Sequence, residues 1–268
     1  MEIQQEKVNM QHCPMVSVIM PAYNSEQFIE KSIRSALGQT YSNLEVIVID
    51  DCSKDRTVQI VQKLAQEDNR VRLIQNETNA GAANSRNKGM DCSRGAYVAL
   101  LDSDDIWHPD KLQKQINLAQ ETGAGLIYCS YAMVDEQGKK KCRDFVVNER
   151  ISLESMLRKS EISCSTALLR ADVIQKRRFS NAYYHEDYVF WLQLLKDGVQ
   201  TAGLREVLAD YTLRDSSRAA NKVNAAKRRW EIYRSFMGFS VIRSSFYLMQ
   251  YAVLGVWKYA QMRQKHES

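Results

Sequence analysis

The sequence predicts an α/β domain with a largely parallel sheet, followed by helices at its C-terminal end. Strands and helices alternate three times within the first hundred residues, a pattern typical of parallel sheets that are covered by helices. The second of these strands is almost continuous in Val and Ile, as expected when both faces of a sheet are buried. Polar clusters follow three of the strands, at the edge where such sheets bind ligands.

Each element of the first half has its own local signal. Apolar runs predict the strands, and an apolar spacing near 3.6 residues predicts the helices. Pro21 is expected to end the first strand, and Asn24 or Ser25 to cap the first helix. Ser53 or Asp55 is expected to cap the second helix. The predicted strands are residues 16–20, 45–50, 71–75 and 97–101, and the third helix covers residues 82–92.

The pattern is looser after residue 108. Helices are predicted over residues 109–120 and 187–196, and strands near residues 125–131, 166–169 and 207–211. The last fifty residues predict one or two helices with a broad apolar side.

The composition indicates a globular protein of one large domain, or of one domain plus an appendage, with 268 residues and a formal net charge of +5. Six cysteines are scattered without a C-x-x-C pair, which argues against a zinc site and for reduced thiols in the cytoplasm. The first fifteen residues lack an apolar run, so we expect no signal peptide. Lys and Arg concentrate after residue 176, but no nucleic-acid-reading motif accompanies them.

The acidic motif Asp102-Ser103-Asp104 directly follows the fourth predicted strand. Carboxylates two residues apart on extended backbone point to the same side, and Mg2+ or Mn2+ takes oxygen ligands of this kind. Two carboxylates do not complete an octahedron, so a nucleotide diphosphate would supply further oxygens. The alternative is a turn and helix cap, which the position after a buried strand disfavours. The motif therefore predicts a divalent metal site.

Two further polar clusters follow the first and second strands. One carboxylate of Asp50-Asp51 can accept a hydrogen bond from a uracil imide or a ribose hydroxyl, the alternative being an N-cap pair for the next helix. Pro21 and Tyr23 supply an aromatic face on which a base can stack. Three clusters at one edge of a sheet favour a ligand site over three unrelated turns.

A loop with a glycine turn leads into the third predicted helix, which carries Arg86. The N–H groups of such a loop, together with a guanidinium, can hold a phosphate, and a plain transition from loop to helix is the alternative. The sequence has no Walker loop. Gly123 and Gly125 precede a strand instead of following one, which excludes a dinucleotide-binding fingerprint.

Asp187 stands at the start of an aromatic-rich helix. A helix N-terminus stabilises the ionised form of a carboxylate, which suits a general base. A capping Asp on a core helix is the alternative.

Taken together, these segments resemble family 2 of the inverting glycosyltransferases. The resemblance rests on the number, order and spacing of the motifs and covers residues 15–211. Cys52 departs from it, since family members often have Gly or a small polar residue there. A Gln-x-x-Arg-Trp motif is lacking, with only a partial match at residues 228–230, which disfavours a processive polymerase. The matching motifs are VSVIMPAYN (16–24), QTY (39–41), EVIVIDDCS (45–53), NAGAANSRN (79–87), LDSDDIW (101–107) and EDY (186–188).

The resemblance implies the GT-A fold, in which a Rossmann-like nucleotide-binding half with a mixed central sheet is joined to C-terminal helices. The implied division is an N-terminal tail (1–14), a nucleotide-sugar-binding half (15–108), an acceptor-binding half (109–215) and a helical C-terminal segment (216–268).

The resemblance also implies residue roles. Asp187 would be the catalytic base, and Asp104, with Asp102, would hold the metal ion, Mg2+ or Mn2+. The residues implied in binding the nucleotide-sugar are Pro21, Tyr23, Asp51, Arg86, Asp102, Ser103 and Asp104.

The implied activity is inverting transfer of one sugar from a nucleotide-sugar, with UDP-glucose or UDP-galactose as the leading donors. The implied acceptor is a glycan, free or carried on a polyprenyl diphosphate, in bacterial O-antigen, capsule or exopolysaccharide synthesis. A sugar nucleotidyltransferase is one rival, but it would open with a Gly- and Lys/Arg-rich phosphate loop where this chain has residues 21–24. A non-catalytic member of the fold is the other, and it would be expected to have lost one of Asp102, Asp104 or Asp187.

The C-terminal segment combines aromatic and basic residues. Its longest uncharged apolar stretch, residues 244–257, would measure about 21 Å as a helix, which is shorter than the roughly 30 Å core of a bilayer. We expect a helix that does not span the membrane but lies on its cytoplasmic face. Packing on the domain, or a dimer contact, is the alternative.

Overall fold

The computed structural model describes residues 13–213 and 222–263, with side chains for 13–213 and 224–253. Most of the predicted tail, 1–14, therefore lies outside the described residues. The described strands are β1 (Val16–Ala22), β2 (Leu44–Asp50), β3 (Val71–Gln75), β4 (Tyr97–Leu100), β5 (Ile106–Trp107), β6 (Leu126–Val134), β7 (Leu168–Arg170) and β8 (Thr201–Thr212).

Helices cover both faces of the sheet and follow it at the C-terminal end. A 3-10 turn (Cys164–Thr166) precedes β7, and a π-helical turn (Ile232–Phe236) joins the last two helices. The described helices are α1 (Ile29–Leu37), α2 (Thr57–Glu67), α3 (Gly81–Cys92), α4 (Lys111–Thr122), α5 (Leu153–Arg158), α6 (Ala171–Ile174), α7 (Glu186–Lys196), α8 (Lys222–Glu231) and α9 (Val241–Arg263).

The strands form one mixed sheet in the order β3-β2-β1-β4-β7-β6-β8-β5. The strands β1 to β4 pair in parallel, as predicted for the first half. β7 runs antiparallel to both β4 and β6 and so joins the two halves. The prediction of an α/β fold with a mixed central sheet and C-terminal helices is therefore confirmed.

β1 and β2 lie in parallel register and bring their carboxyl ends side by side. Pro21 lies opposite Ile49 and still belongs to β1, so the prediction that Pro21 ends the strand is wrong. A proline lacks only its own N–H group, and β1 continues for one more residue. Beyond the strands, the N–H of Asp51 donates to the carbonyl oxygen of Ala22 (2.8 Å).

The first helix begins at Ile29, later than the predicted caps Asn24 and Ser25. Asn24 has a φ of +48°, and its side-chain oxygen accepts a hydrogen bond from the N–H of Lys54 (2.7 Å). The Ser25 hydroxyl lies 2.8 Å from that of Ser103. Both side chains therefore connect separate segments at the sheet edge, and neither caps the helix.

The C-terminal helices pack on the domain through one face. α9 lies against α5 and α8, and the rings of Tyr233, Phe239 and Tyr247 are buried there. The Tyr233 hydroxyl donates to the carbonyl oxygen of Leu157 (2.6 Å). Within the described ranges, no helix is both long and apolar enough to cross a bilayer.

Candidate active site

The parallel strands place the predicted polar clusters at a common edge of the sheet. β1 is paired with β2 on one side and with β4 on the other, so the residues that follow these three strands are neighbours. Tyr23 follows β1 and has 49% of its surface exposed, which leaves its ring accessible for stacking on a base.

Asp51 holds the start of α3. Its carboxylate accepts hydrogen bonds from the backbone N–H groups of Ala80 and Gly81 and from the side-chain amide of Asn76, each at 2.8 Å. A carboxylate at this position is stabilised by the helix dipole. The alternative of an N-cap for α2 is therefore wrong for Asp51, because the carboxylate faces α3. Its predicted contact with the nucleotide stays a prediction.

Cys52 has a φ of +67°, which lies in the left-handed region that residues other than glycine rarely adopt. This conformation costs an L-residue about 1–2 kcal/mol, and glycine avoids that cost. The backbone conformation at this position would therefore suit glycine better than cysteine. The Cys52 thiol lies 3.2 Å from the carbonyl oxygen of Asn76, in the same loop that Asp51 holds.

The acidic loop, residues 102–105 after β4, has side chains in two environments. Asp102 and Asp104 are partly exposed, whereas Ser103 and Asp105 are buried. Ser103 and Asp104 lie in a turn, closed by a hydrogen bond from the N–H of Asp105 to the carbonyl oxygen of Asp102 (3.1 Å). The backbone is therefore not extended as predicted, and the turn given as the alternative is present. Ser103 lies beside Ser25 within the protein, and its predicted role at the nucleotide-sugar stays a prediction. The carbonyl oxygen of Asp104 accepts a hydrogen bond from the Thr212 hydroxyl (2.5 Å).

Asp105 anchors this loop, a role that our prediction missed. Its carboxylate accepts hydrogen bonds from the Ser165 hydroxyl (2.5 Å) and the Thr212 N–H (2.9 Å). Burial, together with the neighbouring charges of Asp104 and Asp102, raises the pKa of Asp105 well above its ordinary value. No strand-like alternation reveals this inward position, because residues 102–105 form a turn.

Arg86 bridges the two halves of the chain. Its guanidinium donates to Asp102 (Nη2 to Oδ1, 2.7 Å) and to Glu186 (Nη1 to Oε1, 3.1 Å), and only 5% of its surface is exposed. The Phe179 ring lies 5.5 Å from Cζ. The predicted contact of Arg86 with the nucleotide stays a prediction, since in this structure both terminal nitrogens bind carboxylates.

Asp187 lies in the first turn of α7, next to Glu186. Its Oδ1 accepts a hydrogen bond from the N–H of Tyr188 (2.7 Å). Burial raises the pKa of Asp187, while the positive charge of Arg86 opposes this shift. Asp102 also raises it, which shows that the acidic loop and α7 share one electrostatic environment. Our prediction gave Glu186 no role. Its ion-pair partner, Arg86, lies 100 residues away along the chain, so no local pattern indicates the contact.

Asp102 and Asp104 are the residues that would hold a divalent cation. Within the part of the chain that the structure describes, no group of three or more His, Cys, Asp and Glu side chains could hold a metal ion. Mg2+ in nucleotide sites is bound by one or two carboxylates together with substrate phosphates. The two aspartates fit a cation of this kind, and Asp102 also pairs with Arg86.

Comparison with known proteins identifies the family. The model of the family described as "Glycosyl transferase family 2" matches residues 17–178, which is more than half of the chain. The chain belongs to glycosyltransferase family 2. The matched range includes β1 to β4, the acidic loop and Arg86, whereas Glu186 and Asp187 lie just beyond it.

Two relatives of this glycosyltransferase are similar over nearly their whole length. TuaG of Bacillus subtilis (strain 168), named for teichuronic acid biosynthesis, is 34% identical over 245 residues, which cover 91% of this chain and 97% of TuaG. WfgD of Escherichia coli, named UDP-Glc:alpha-D-GlcNAc-diphosphoundecaprenol beta-1,3-glucosyltransferase, is 36% identical over 251 residues, which cover 92% of this chain and 95% of WfgD.

The fold of the glycosyltransferase is also found among solved structures. S. aureus TarS (residues 1–349), in complex with UDP-GlcNAc, superposes with a TM-score of 0.71 at 22% sequence identity, over 89% of this chain and 71% of TarS. The mixed sheet and the C-terminal helices are thus those of the GT-A fold, as the resemblance implied.

Proposed function

We propose that the chain is a metal-dependent, inverting hexosyltransferase of bacterial surface-polysaccharide synthesis. The donor is a UDP-sugar, UDP-glucose or UDP-galactose, and the acceptor is a glycan on a polyprenyl diphosphate. The observation that carries this proposal is the Arg86 bridge, which holds the acidic loop and the start of α7 in one site. The name of WfgD, with its glucose donor and diphosphoundecaprenol acceptor, supports the choice of substrates.

The donor binds in the half formed by residues 15–108, at the edge of the sheet where the three polar clusters meet. Tyr23 stacks on the base, and Asp51 orders the loop before α3, which faces the diphosphate. Asp104, with Asp102, would hold Mg2+ or Mn2+. Such a cation would neutralise negative charge on the departing nucleoside diphosphate, a contribution of several kcal/mol.

The acceptor binds in the half formed by residues 109–215, and Asp187 is the general base. Asp187 takes the proton of an acceptor hydroxyl while that oxygen forms a bond to C1 of the donor sugar. The bond between C1 and the diphosphate oxygen breaks on the opposite face, so the configuration at C1 is inverted. Burial raises the pKa of Asp187, which makes it a stronger base than an exposed aspartate.

The exposed face of α9 binds the cytoplasmic face of the plasma membrane. Ile242, Phe246, Met249 and Val253 are 83%, 51%, 66% and 63% exposed, and their spacing of four, three and four residues aligns them on one side of a helix. Arg243 adds positive charge beside this apolar stripe, as is typical of helices that lie on anionic lipid. The opposite face, with Tyr247, packs on the domain, so packing and membrane contact are compatible.

Removal of Asp104 is expected to abolish metal-dependent nucleotide binding. UDP with Mn2+ should raise the unfolding temperature of the wild type, because a ligand at a hundred times its Kd stabilises the native state by about 2.7 kcal/mol. Asp104→Ala should lose this shift, and Asp172→Ala, a change at an exposed carboxylate of α6, should keep it. The measurement is thermal unfolding with UDP, dTDP, GDP or CMP, each with and without Mn2+. A wild type that responds to no nucleotide would contradict the proposal.

Asp187→Asn is expected to lower kcat by at least ~10²-fold, because general-base catalysis contributes that much, while UDP binding stays unchanged. Only the ionised carboxylate accepts a proton, so wild-type activity should fall as the pH drops through the raised pKa of Asp187. That fall should lie above the ordinary range of an aspartate, about 3.9. Initial rates across pH are the measurement. Asp197→Asn, at the opposite end of α7, is the control, and a near-normal rate for Asp187→Asn would rule out the assigned base.

Replacing the apolar stripe is expected to weaken membrane binding. The triple variant Ile242→Ser, Phe246→Ser and Met249→Ser should bind anionic phospholipid vesicles at least ~10-fold more weakly in a flotation assay, because each buried apolar side chain stabilises the bound state by about 1.5–3 kcal/mol. Val146→Ser, at an exposed apolar residue elsewhere, should have no effect. Unchanged flotation of the triple variant, or a dimer in the wild type that the variant converts to monomer, would show that the stripe has another partner.

A further inference from the structure

Two arginines of α8 lie against the segment that carries the proposed base. Cζ of Arg228 is 3.1 Å from the centroid of the Tyr184 ring, and Cζ of Arg229 is 3.6 Å from that of Tyr188. The ring of His185 contacts the Tyr184 ring edge-to-face, at 5.1 Å between centroids. Arg228 and Arg229 therefore lie against residues 184–188 beside His185, and none of these three residues has a role in the mechanism above.

Arg229 is buried but incompletely paired. Only 5% of its surface is exposed, and the Tyr251 ring lies on it as well, at 4.5 Å from Cζ. Its buried Nη1 has no hydrogen-bond partner among the residues that the structure describes. A buried donor of this kind costs about 1–3 kcal/mol unless it finds an acceptor. An anion that reached Nη1 would supply this acceptor.

The charges around the cluster are mostly positive. Glu186 already pairs with Arg86, so its negative charge is partly neutralised. Burial lowers the pKa of His185, and the charges of Arg229 and Arg228 lower it further. The neutral imidazole would therefore offer a hydrogen bond and not a charge. α8 carries Lys227 and both arginines against one acid, Glu231. An anion next to His185 would thus meet an attractive field.

We propose that Arg228, Arg229 and His185 bind the diphosphate of the lipid-linked acceptor. The inference rests on the proposed function, which supplies an acceptor of this chemical class. In a monosaccharide diphosphate, the attacking hydroxyl and the diphosphate are separated by one pyranose ring. His185 is two residues from Asp187, and two residues of chain span at most about 7 Å. The cluster therefore lies at the right distance from the base to hold the diphosphate while Asp187 faces the hydroxyl.

Arginine suits this role better than lysine. Its planar guanidinium can donate two parallel hydrogen bonds to a phosphate. Stacking on Tyr184 fixes the plane of the Arg228 guanidinium, and stacking on Tyr188 fixes that of Arg229. The aromatic rings thus hold the arginines in place before the acceptor binds, which reduces the entropy lost on binding.

The test is calorimetric binding of three probes to the full chain, with and without saturating UDP and Mn2+. The probes are N-acetylglucosamine α-diphosphate with a short alkyl chain, the matching alkyl glycoside without phosphate, and the alkyl diphosphate without the sugar. Saturation with UDP prevents the probes from binding at the donor's own diphosphate site. Turnover is not needed, so the result does not depend on knowing the donor sugar.

The wild type is expected to bind both diphosphate probes at least ~10-fold more tightly than the glycoside. Arg228→Gln should weaken the diphosphate probes by about 10-fold and leave the glycoside unchanged, and Arg228→Lys should restore part of the loss. Lys196→Gln removes one positive charge at the other end of α7 and should have no effect.

Equal affinities of the wild type for the diphosphate probes and the glycoside would overturn the inference. So would an equal loss for all three probes in Arg228→Gln, because the arginine would then only anchor α8 on α7. If UDP with Mn2+ does not bind at all, the proposed function fails instead. The comparison of probes without UDP then still decides whether the cluster binds a diphosphate.

Discussion

Arg86 is buried between two carboxylates that come from distant parts of the chain, Asp102 after β4 and Glu186 at the start of α7. A buried guanidinium is tolerated only when its charge is compensated, and removal of one partner of such a pair costs about 3–5 kcal/mol. The ion pairs therefore fix the acidic loop relative to α7. The shared arginine thus links the loop of the proposed metal ligands to the helix of the proposed base.

Hydrogen bonds of two further carboxylates, those of Asp51 and Asp105, hold the segments that carry the site. Asp51 orders the start of α3, the helix that carries Arg86. Asp105 ties the acidic loop to β8 and to the 3-10 turn through Thr212 and Ser165. Each of these two carboxylates accepts hydrogen bonds from N–H or hydroxyl groups inside the protein. The partly exposed side chains at the sheet edge therefore remain accessible to ligands. A rigid supporting layer of this kind is what a transferase needs to hold two substrates in a reactive geometry.

Local signals in the sequence were sufficient for much of the fold. β3 was predicted at its observed bounds, because an apolar run between turn residues has few alternatives. The clusters around Tyr23, Asp51 and Asp102 were placed at one edge of the sheet, because parallel strands must end there together. The start of α1 was misplaced, since Asn24 and Ser25 form tertiary hydrogen bonds that no local pattern reveals. No local pattern indicates the pairing of Arg86 with Glu186. It depends on how the two halves of the sheet come together, and the antiparallel strand β7 joins these halves.

A double-mutant cycle on Arg86 and Glu186 tests the central claim most directly. The free energy of unfolding and kcat would be measured for the wild type, Arg86→Lys, Glu186→Gln and the double variant. If Arg86 joins the two halves, the single changes should be non-additive by at least about 1 kcal/mol in both quantities, as expected for residues in one ion-pair network. Additive effects within about 0.5 kcal/mol would contradict the account, because the two halves of the site would then be positioned independently of this ion pair.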